Sequence, residues 1–583
     1  MTSPASFALC QLQFLLLCEY CSTSVEKELA LMASPLKSCI DPAEHPLDTR
    51  RNFGEYMVQH LRRHAGSKLI NGTTDEAYTY AEVAEQVDAV RTALWRLGHE
   101  AGDKILLLSA NRTQLLPMFL GAACANVASV CESPGFSVDV LADAMQTLSL
   151  ASVCCEPDRV QEALELQRRL VSIKHIIALH EPVHKTNGAT NSVITWNELL
   201  KKGREEGGPM PPPPEYQENQ ISYITSTSGT TGKPKLVVHC HESLLAIVQS
   251  SSHPGHMRLG PEDLSLSTSS LVHTYALLWG VCKAIAQGAS TAFMETADDS
   301  AILEAIHKHR VTYLSTTPYT VTCLLDNKRR NGYDLHSLQY VTTSTTNIGE
   351  DVAKTLVKEF NLKSFTQKYG QTEIPFISVG LYNAPTNYKS IGCLAVGVEA
   401  LVRDTETKKP LGPWQRGELV VRSPNLMRGY WGRLHESITD EEGWYSTGDL
   451  CYYDKDGWLY LVARQSDYFC VRGSKYWPVQ VEAVLLKCPG VHDCAVVGIP
   501  HPEAGEVAHA LIVPEPEART LSAYHVTQFV EVNAPKGCQL EGGVTFVDEI
   551  PRSNRGKLVR RQLVQWILGK REQGGINSRE AEA

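Results

Sequence analysis

The sequence predicts an α/β protein of more than one domain, and three observations carry that prediction. The chain has 583 residues, more than one hydrophobic core ordinarily holds together. Apolar residues recur at helical spacing and then give way to short continuous apolar runs, the alternation that builds parallel sheets covered by helices. After Arg464 the character changes to a smaller mixed region that ends near Leu568. The expected division is a leader over residues 1–45, a large domain over 46–463, a small domain over 464–568 and a loose tail over 569–583.

The first clear unit begins at Thr79. Glu82 follows three residues on, a capping-box pattern. Val83, Val87, Val90, Leu94 and Leu97 then mark one apolar helix face, Gly98 stops it, and residues 104–109 (KILLLS) read as a buried strand. Residues 203–220 contain GREEGG and PPPP and are expected to form a loop. Residues 221–225, 417–422 (GELVVR) and 457–462 (GWLYLV) read as strands, with a turn over 454–457.

Bulk properties exclude some function classes. Hydrophobic residues make up 43% and charged residues 21%, ordinary for a globular protein. A net charge of −10 argues against nucleic acid, whose binding leaves a basic face. The 17 cysteines are scattered, which points to buried free thiols in a reducing compartment. Cys18 and Cys21 form one Cys-x-x-Cys pair, and no second pair follows at zinc spacing. No apolar run reaches the ~20 residues that cross a bilayer. Residues 7–18 (FALCQLQFLLLC) are the one targeting candidate. They read as a signal or anchor, or as a disordered leader ahead of a start at Met32.

The chemistry-bearing stretch is residues 225–235, TSTSGTTGKPK. Thr225, Ser226, Thr227, Ser228, Thr230 and Thr231 supply hydroxyls, Gly229 and Gly232 allow close approach to phosphate oxygens, and Lys233 and Lys235 add charge. It is not a Walker A loop, because Pro234 follows the lysine. Further on come YGQTE (Tyr369, Gly370, Gln371, Thr372, Glu373), STGD ending at Asp449, and PRSNRGK ending at Lys557.

These four signatures, in this order, resemble those of the adenylate-forming superfamily, which contains acyl-CoA synthetases, 4-coumarate–CoA ligases, firefly and other beetle luciferases and peptide-synthetase adenylation domains. The resemblance covers roughly residues 50–568. It implies a large N-terminal domain of several subdomains and a small, mobile α+β C-terminal domain. It also implies ATP-dependent activation of a fatty or aromatic acid to acyl-AMP, with release of pyrophosphate and then transfer to CoA.

By the same resemblance, ATP is held by residues 225–233, Tyr369, Gly370, Gln371, Asp449 and Arg464. Tyr369 would stack on adenine, Thr372 would bond the α-phosphate, Glu373 would hold Mg²⁺, and Asp449 would accept from the ribose hydroxyls. Lys557 is the residue expected to carry the chemistry with Thr372 and Glu373. A positioned donor at developing charge is worth ~3–4 kcal/mol. His273, Tyr275, Ser344, Thr345 and Thr346 would line the acid pocket.

Four departures qualify this reading. Leu236 stands in place of a glycine, Ser344 to Thr346 in place of Gly-Gly-Ala, Ala463 at a hinge usually aspartate or lysine, and Cys470 in place of a lysine serving the second half-reaction. Adenylation is therefore better equipped than CoA transfer. The alternatives are a catalytically impaired nucleotide-binding homologue and a luciferase-like oxygenase sharing the adenylation step. The expected compartment is intracellular, cytoplasmic or peroxisomal, although the C-terminal Ser-Lys-Leu signal is absent.

Overall fold

The capping box at Thr79 forms. Its hydroxyl accepts from the Glu82 amide, and Glu82 accepts from the Thr79 amide. Helix Tyr80–Arg96 buries Val83, Val87, Val90 and Leu94. In the strand Lys104–Leu108 that follows, Ile105 and Leu107 enter one apolar cluster and Leu106 and Leu108 another. Both faces are covered, which is why the run is continuously apolar.

The computed structural model describes residues 35–572 except 39–45, 133–135, 181–192, 207–209, 213–214, 228–234, 296–297, 345–347, 535–537, 553–557 and single positions 327, 383, 517, 519 and 559. Among the described residues, Lys104–Leu108 lies in an eight-stranded sheet. Its order is Gly429–Tyr430, Lys235–Cys240, Ile221–Thr227, Ala128–Glu132, Lys104–Leu108, Ser152–Cys155, His175–Ala178, Val193–Thr195. The six strands from Ile221–Thr227 onward are parallel, and the first two are antiparallel.

A seven-stranded sheet runs Ser364–Gln367, Tyr340–Thr343, Tyr313–Thr316, Leu264–Ser267, Ser290–Phe293, Lys68–Asn71, Ala77–Thr79. It is parallel except for its last pair. One apolar cluster joins Leu107 and Tyr223 of the first sheet to Leu69 and Phe293 of the second through helices Phe53–Arg63, Tyr80–Arg96, Leu115–Cys124 and His241–Ser251. Helices therefore fill the space between the sheets. Others, such as Val160–Arg169 and Glu350–Phe360, cover the outer faces.

A third sheet is an antiparallel run of Leu36–Lys37, Glu399–Arg403, Gly417–Arg422, Tyr445–Tyr453 and Leu459–Arg464. Beyond it the chain enters a separate sheet of Ser474–Tyr476, Phe469–Val471, Gly505–Pro514 and Val491–His501, with Val544–Phe546 alongside. Helices Pro478–Leu485, Ala523–Asn533 and Arg560–Glu572 share its core through Val481, Val526, Val530, Leu563 and Ile567. The architecture is the expected α/β body with an α+β C-terminal part.

Several element bounds differ from the sequence reading. The loop expected from residue 203 starts later, because a Thr195–Glu198 capping box nucleates helix Trp196–Arg204. The strand expected over 221–225 runs to Thr227, where Thr225, Ser226 and Thr227 pair with Val237, Leu236 and Lys235. The strand expected at 457–462 is Leu459–Arg464, because the Asp454 carboxylate gathers the Asp456 and Trp458 amides into the turn. The tail expected from 569 is helical to Glu572, anchored by Leu563 and Ile567. Within the expected leader, Leu36–Lys37 is an edge strand, with Lys37 paired to Glu399 at 3.4 Å.

Residues 7–18, Cys18 and Cys21 lie outside the described residues. The described cysteines are free thiols, and all but Cys470 are buried. Among the described residues no helix is long and apolar enough to cross a membrane.

Candidate active site

The third sheet supplies the centre of the site. Between strands Gly417–Arg422 and Tyr445–Tyr453 the register slips, with Glu418 opposite Leu450 but Val420 opposite Ser446. The extra residues bulge at Thr447 to Asp449, and Gly448 takes φ +67°, a left-handed conformation that a side chain strains. Thr447 fixes the bulge: its hydroxyl donates to Leu419 O at 2.7 Å and accepts from the Asp449 amide at 3.1 Å.

The bulge aims Asp449, 5% exposed, at three partners. Tyr369 Oη donates to Asp449 Oδ2 at 2.5 Å and Gln371 Nε2 donates to the same oxygen at 2.7 Å. Arg464, directly across the ladder from Asp449, donates to Oδ1 at 3.0 Å and Oδ2 at 3.1 Å. Gln371 also donates to Thr447 O at 2.7 Å. Burial, then the Asp449 charge, holds the Tyr369 hydroxyl well above the usual phenol range. Among the described residues Oδ1 accepts from Arg464, while Oδ2 accepts from Tyr369, Gln371 and Arg464.

The YGQTE segment reaches this anion through a tight loop. A Cβ on Gly370 would sit 2.3 Å from Pro375 O, so only glycine permits the close approach. The Gln371 amide donates to Ile374 O at 3.0 Å. His239 Nε2 lies 2.9 Å from Thr372 O, and burial keeps this imidazole neutral, with its pKa lowered to about 4. His239 belongs to strand Lys235–Cys240, which starts where residues 228–234 end. That contact ties the exit of the phosphate-loop segment to Thr372.

Glu373 faces the same side. Tyr430 Oη donates to Glu373 Oε1 at 2.9 Å, and Lys235 Nζ stands 5.1 Å over the Tyr430 ring. Oε2 carries no hydrogen bond among the described residues. A single carboxylate suits Mg²⁺, which binds one or two carboxylates together with substrate phosphates. Among the described residues no cluster of three or more His, Cys, Asp and Glu forms an all-protein metal site. Phosphate oxygens would have to complete the coordination.

Thr225 and Ser226 are buried in the sheet, where the Ser226 hydroxyl donates to Glu132 at 2.7 Å, while Thr227 is half-buried at the strand end. Ser228, Gly229, Thr230, Thr231, Gly232, Lys233, Thr345, Thr346 and Lys557 lie outside the described residues. His273 is half-buried just before the π-helix Tyr275–Cys282. Tyr275 Oη accepts from the Ser315 hydroxyl at 2.9 Å, and the Ser344 amide donates to Thr316 O at 3.3 Å. Lys368 Nζ lies 4.7 Å over the Tyr275 ring, so Tyr275 adjoins the residue preceding Tyr369.

Ala463 is buried opposite Leu450, and the Cys470 amide donates to Glu506 at 2.7 Å. Lys475 stands directly across the ladder from Cys470. Sequence reasoning missed Tyr430, His239 and Lys368. Lys368, a charge ending the run SFTQK, was the one with a visible signal.

Comparison with known proteins identifies the family of the chain. The AMP-binding enzyme family model matches residues 58–431, and the AMP-binding enzyme C-terminal domain model matches 480–557. The chain is 28% identical over 555 residues to a probable CoA ligase, CCL5, of Humulus lupulus, covering 91% of this chain and 94% of the relative. It is 29% identical over 549 residues to 4-coumarate–CoA ligase 1 of Petroselinum crispum, covering 90% and 97%. In fold it is similar to the anthranilate CoA ligase AuaEII crystallised with anthranoyl-AMP (TM-score 0.78, 20% identity, 90% and 99% covered). The chain belongs to the AMP-binding enzyme family, within the adenylate-forming superfamily, and its class is that of the AMP-forming acid–thiol ligases.

Proposed function

We propose that the protein joins a carboxylic acid to AMP from ATP, releasing pyrophosphate, and then passes the acyl group to CoA. The observation that carries this reading is Asp449, a buried carboxylate clamped by Tyr369, Gln371 and Arg464. A vicinal diol such as ribose needs two adjacent acceptors, and the two oxygens of Asp449 supply them once Arg464 gives way. The adenine lies against Tyr369. Thr372 and residues 228–233 take the phosphates, where backbone N–H groups and lysine offset their charge.

Attack of the acid on the α-phosphate brings two anions together. Lys557 lowers that barrier by holding the acid and the developing charge. The mixed anhydride then offers the CoA thiol a good leaving group, AMP. Glu373 would hold Mg²⁺, which would supply charge neutralisation on the phosphates.

ATP–pyrophosphate exchange over a panel of fatty and aromatic acids tests the first step, and acid-dependent CoA consumption tests the second. Absence of exchange with every acid would overturn the reading. Glu373→Gln is expected to raise the Mg²⁺ concentration for half-maximal exchange by about tenfold, the worth of one charged ligand. A Mg²⁺ titration of exchange rate checks it, with an unchanged midpoint removing Glu373 from the metal site.

A further inference from the structure

Behind Tyr275 the chain builds a box of aromatic rings around two lysines. Trp279 Nε1 donates to Tyr313 Oη at 3.0 Å, and the Trp279 and Phe376 rings stand 5.0 Å apart. Lys283 Nζ lies 4.2 Å from the Trp279 centroid and 4.6 Å from that of Tyr313. Lys368 Nζ lies over Tyr275 at 4.7 Å, Trp279 at 5.2 Å and Phe376 at 5.9 Å. The two ammoniums therefore flank one indole.

Lys283 is fully buried, and its Nζ has no hydrogen-bond partner among the described residues. Lys368 is 6% exposed. Among the described residues no carboxylate acts on the charge of either lysine. Ring faces compensate part of the desolvation of one cation, but they do nothing for the repulsion between two. Burial pushes both amines down to about 7, and for Lys283 the Lys368 charge adds to it. A methionine or leucine at either position would pack against these rings without such a cost. An anion between the two amines would favour their charged forms and offset that cost.

The strands show where it would sit. Lys368 follows strand Ser364–Gln367, whose last residue pairs with Thr343, at the carboxyl edge of the sheet. Tyr313 opens strand Tyr313–Thr316 at the opposite edge, so Lys283, over Tyr313, is the deeper of the two amines and Lys368 the one nearer the strand ends. In the adenylation reading the reacting carboxylate sits by Thr372 and Glu373, which follow Lys368 in the chain.

We propose that the acid substrate is a dicarboxylic acid, whose second carboxylate is bound in the aromatic box by Lys283 and Lys368. The proposal rests on the adenylation reading for the acid's place beside Tyr275. Neither lysine takes part in bond making: they select the substrate, and the same two charges disfavour an acid with an apolar end, which would leave them unpaired.

Matched pairs of acids test it: terephthalate against benzoate, and adipate against hexanoate, in ATP–pyrophosphate exchange with the full-length protein. The dicarboxylate of at least one pair is expected to have a kcat/KM about tenfold or more above its partner. Lys283→Met and Lys368→Met should each reverse or abolish that preference, and Lys283→Arg should retain part of it. Because each methionine removes an unpaired buried charge, both variants should melt no lower than the parent without ligand.

Monocarboxylates preferred in the parent, with the preference unmoved by either methionine variant, would overturn the proposal while leaving acid activation standing. Calorimetric titration with the same dicarboxylates separates the two readings if no acid supports exchange. Binding lost in Lys283→Met would uphold the box and sink adenylation. No binding would sink both.

Discussion

Asp449→Ala is expected to raise the KM for ATP in pyrophosphate exchange by about 100-fold, equivalent to ~2.7 kcal/mol. The substitution removes the acceptor proposed for the ribose hydroxyls. It also frees Tyr369 Oη, Gln371 Nε2 and Arg464, which all converge on this carboxylate. Asp449→Asn should fall between, since its amide keeps one acceptor oxygen and turns two donors toward Arg464. Initial-rate kinetics with ATP varied check the order Asp, Asn, Ala. An alanine variant with unchanged KM would show that the node is architectural and that the nucleotide lies elsewhere.

Lys557→Ala is expected to lower kcat for exchange by about 10²–10³-fold with little change in KM for ATP. The split matters. A lysine that only attracted phosphate would raise KM, whereas one acting on the developing charge lowers kcat. Single-turnover formation of acyl-AMP should fall by the same factor. Transfer from chemically supplied acyl-AMP to CoA should survive, because that step starts after the lysine has acted. Loss of both steps together would instead assign Lys557 to holding the acyl-adenylate.

The parts of this architecture that were legible beforehand are local ones. Helix Tyr80–Arg96 is written in a capping box and a 3.6-residue apolar period, and strand Gly417–Arg422 in a short β-branched run between turns. The motifs also marked Tyr369, Gln371 and Asp449. What joins them was hidden, because it depends on register. Arg464 meets Asp449 only because the two strands pair with those residues opposite each other. Asp449 points inward only because the ladder slips around Gly448.

The contacts of His239 with Thr372 and of Tyr430 with Glu373 are each a single hydrogen bond between distant segments, so neither leaves a periodic trace. Lys283 was hidden for a different reason. In an apolar run such as LLWGVCKAIA one lysine reads as the polar side of a helix, and only the rings packed on it show that it has no polar side to occupy.

The cysteines of the described residues have a consequence for handling the protein. Burial pushes thiols such as Cys131, Cys154 and Cys451 up, away from the thiolate form that reacts. In the folded chain these buried thiols are therefore sheltered from oxidation and exchange. Unfolding releases all of these groups at once into water, where ordinary thiol acidity returns and disulfides can scramble. Heat inactivation then becomes a one-way process set by the rate of opening, and the lifetime of a preparation at a given temperature depends on the reductant beside it.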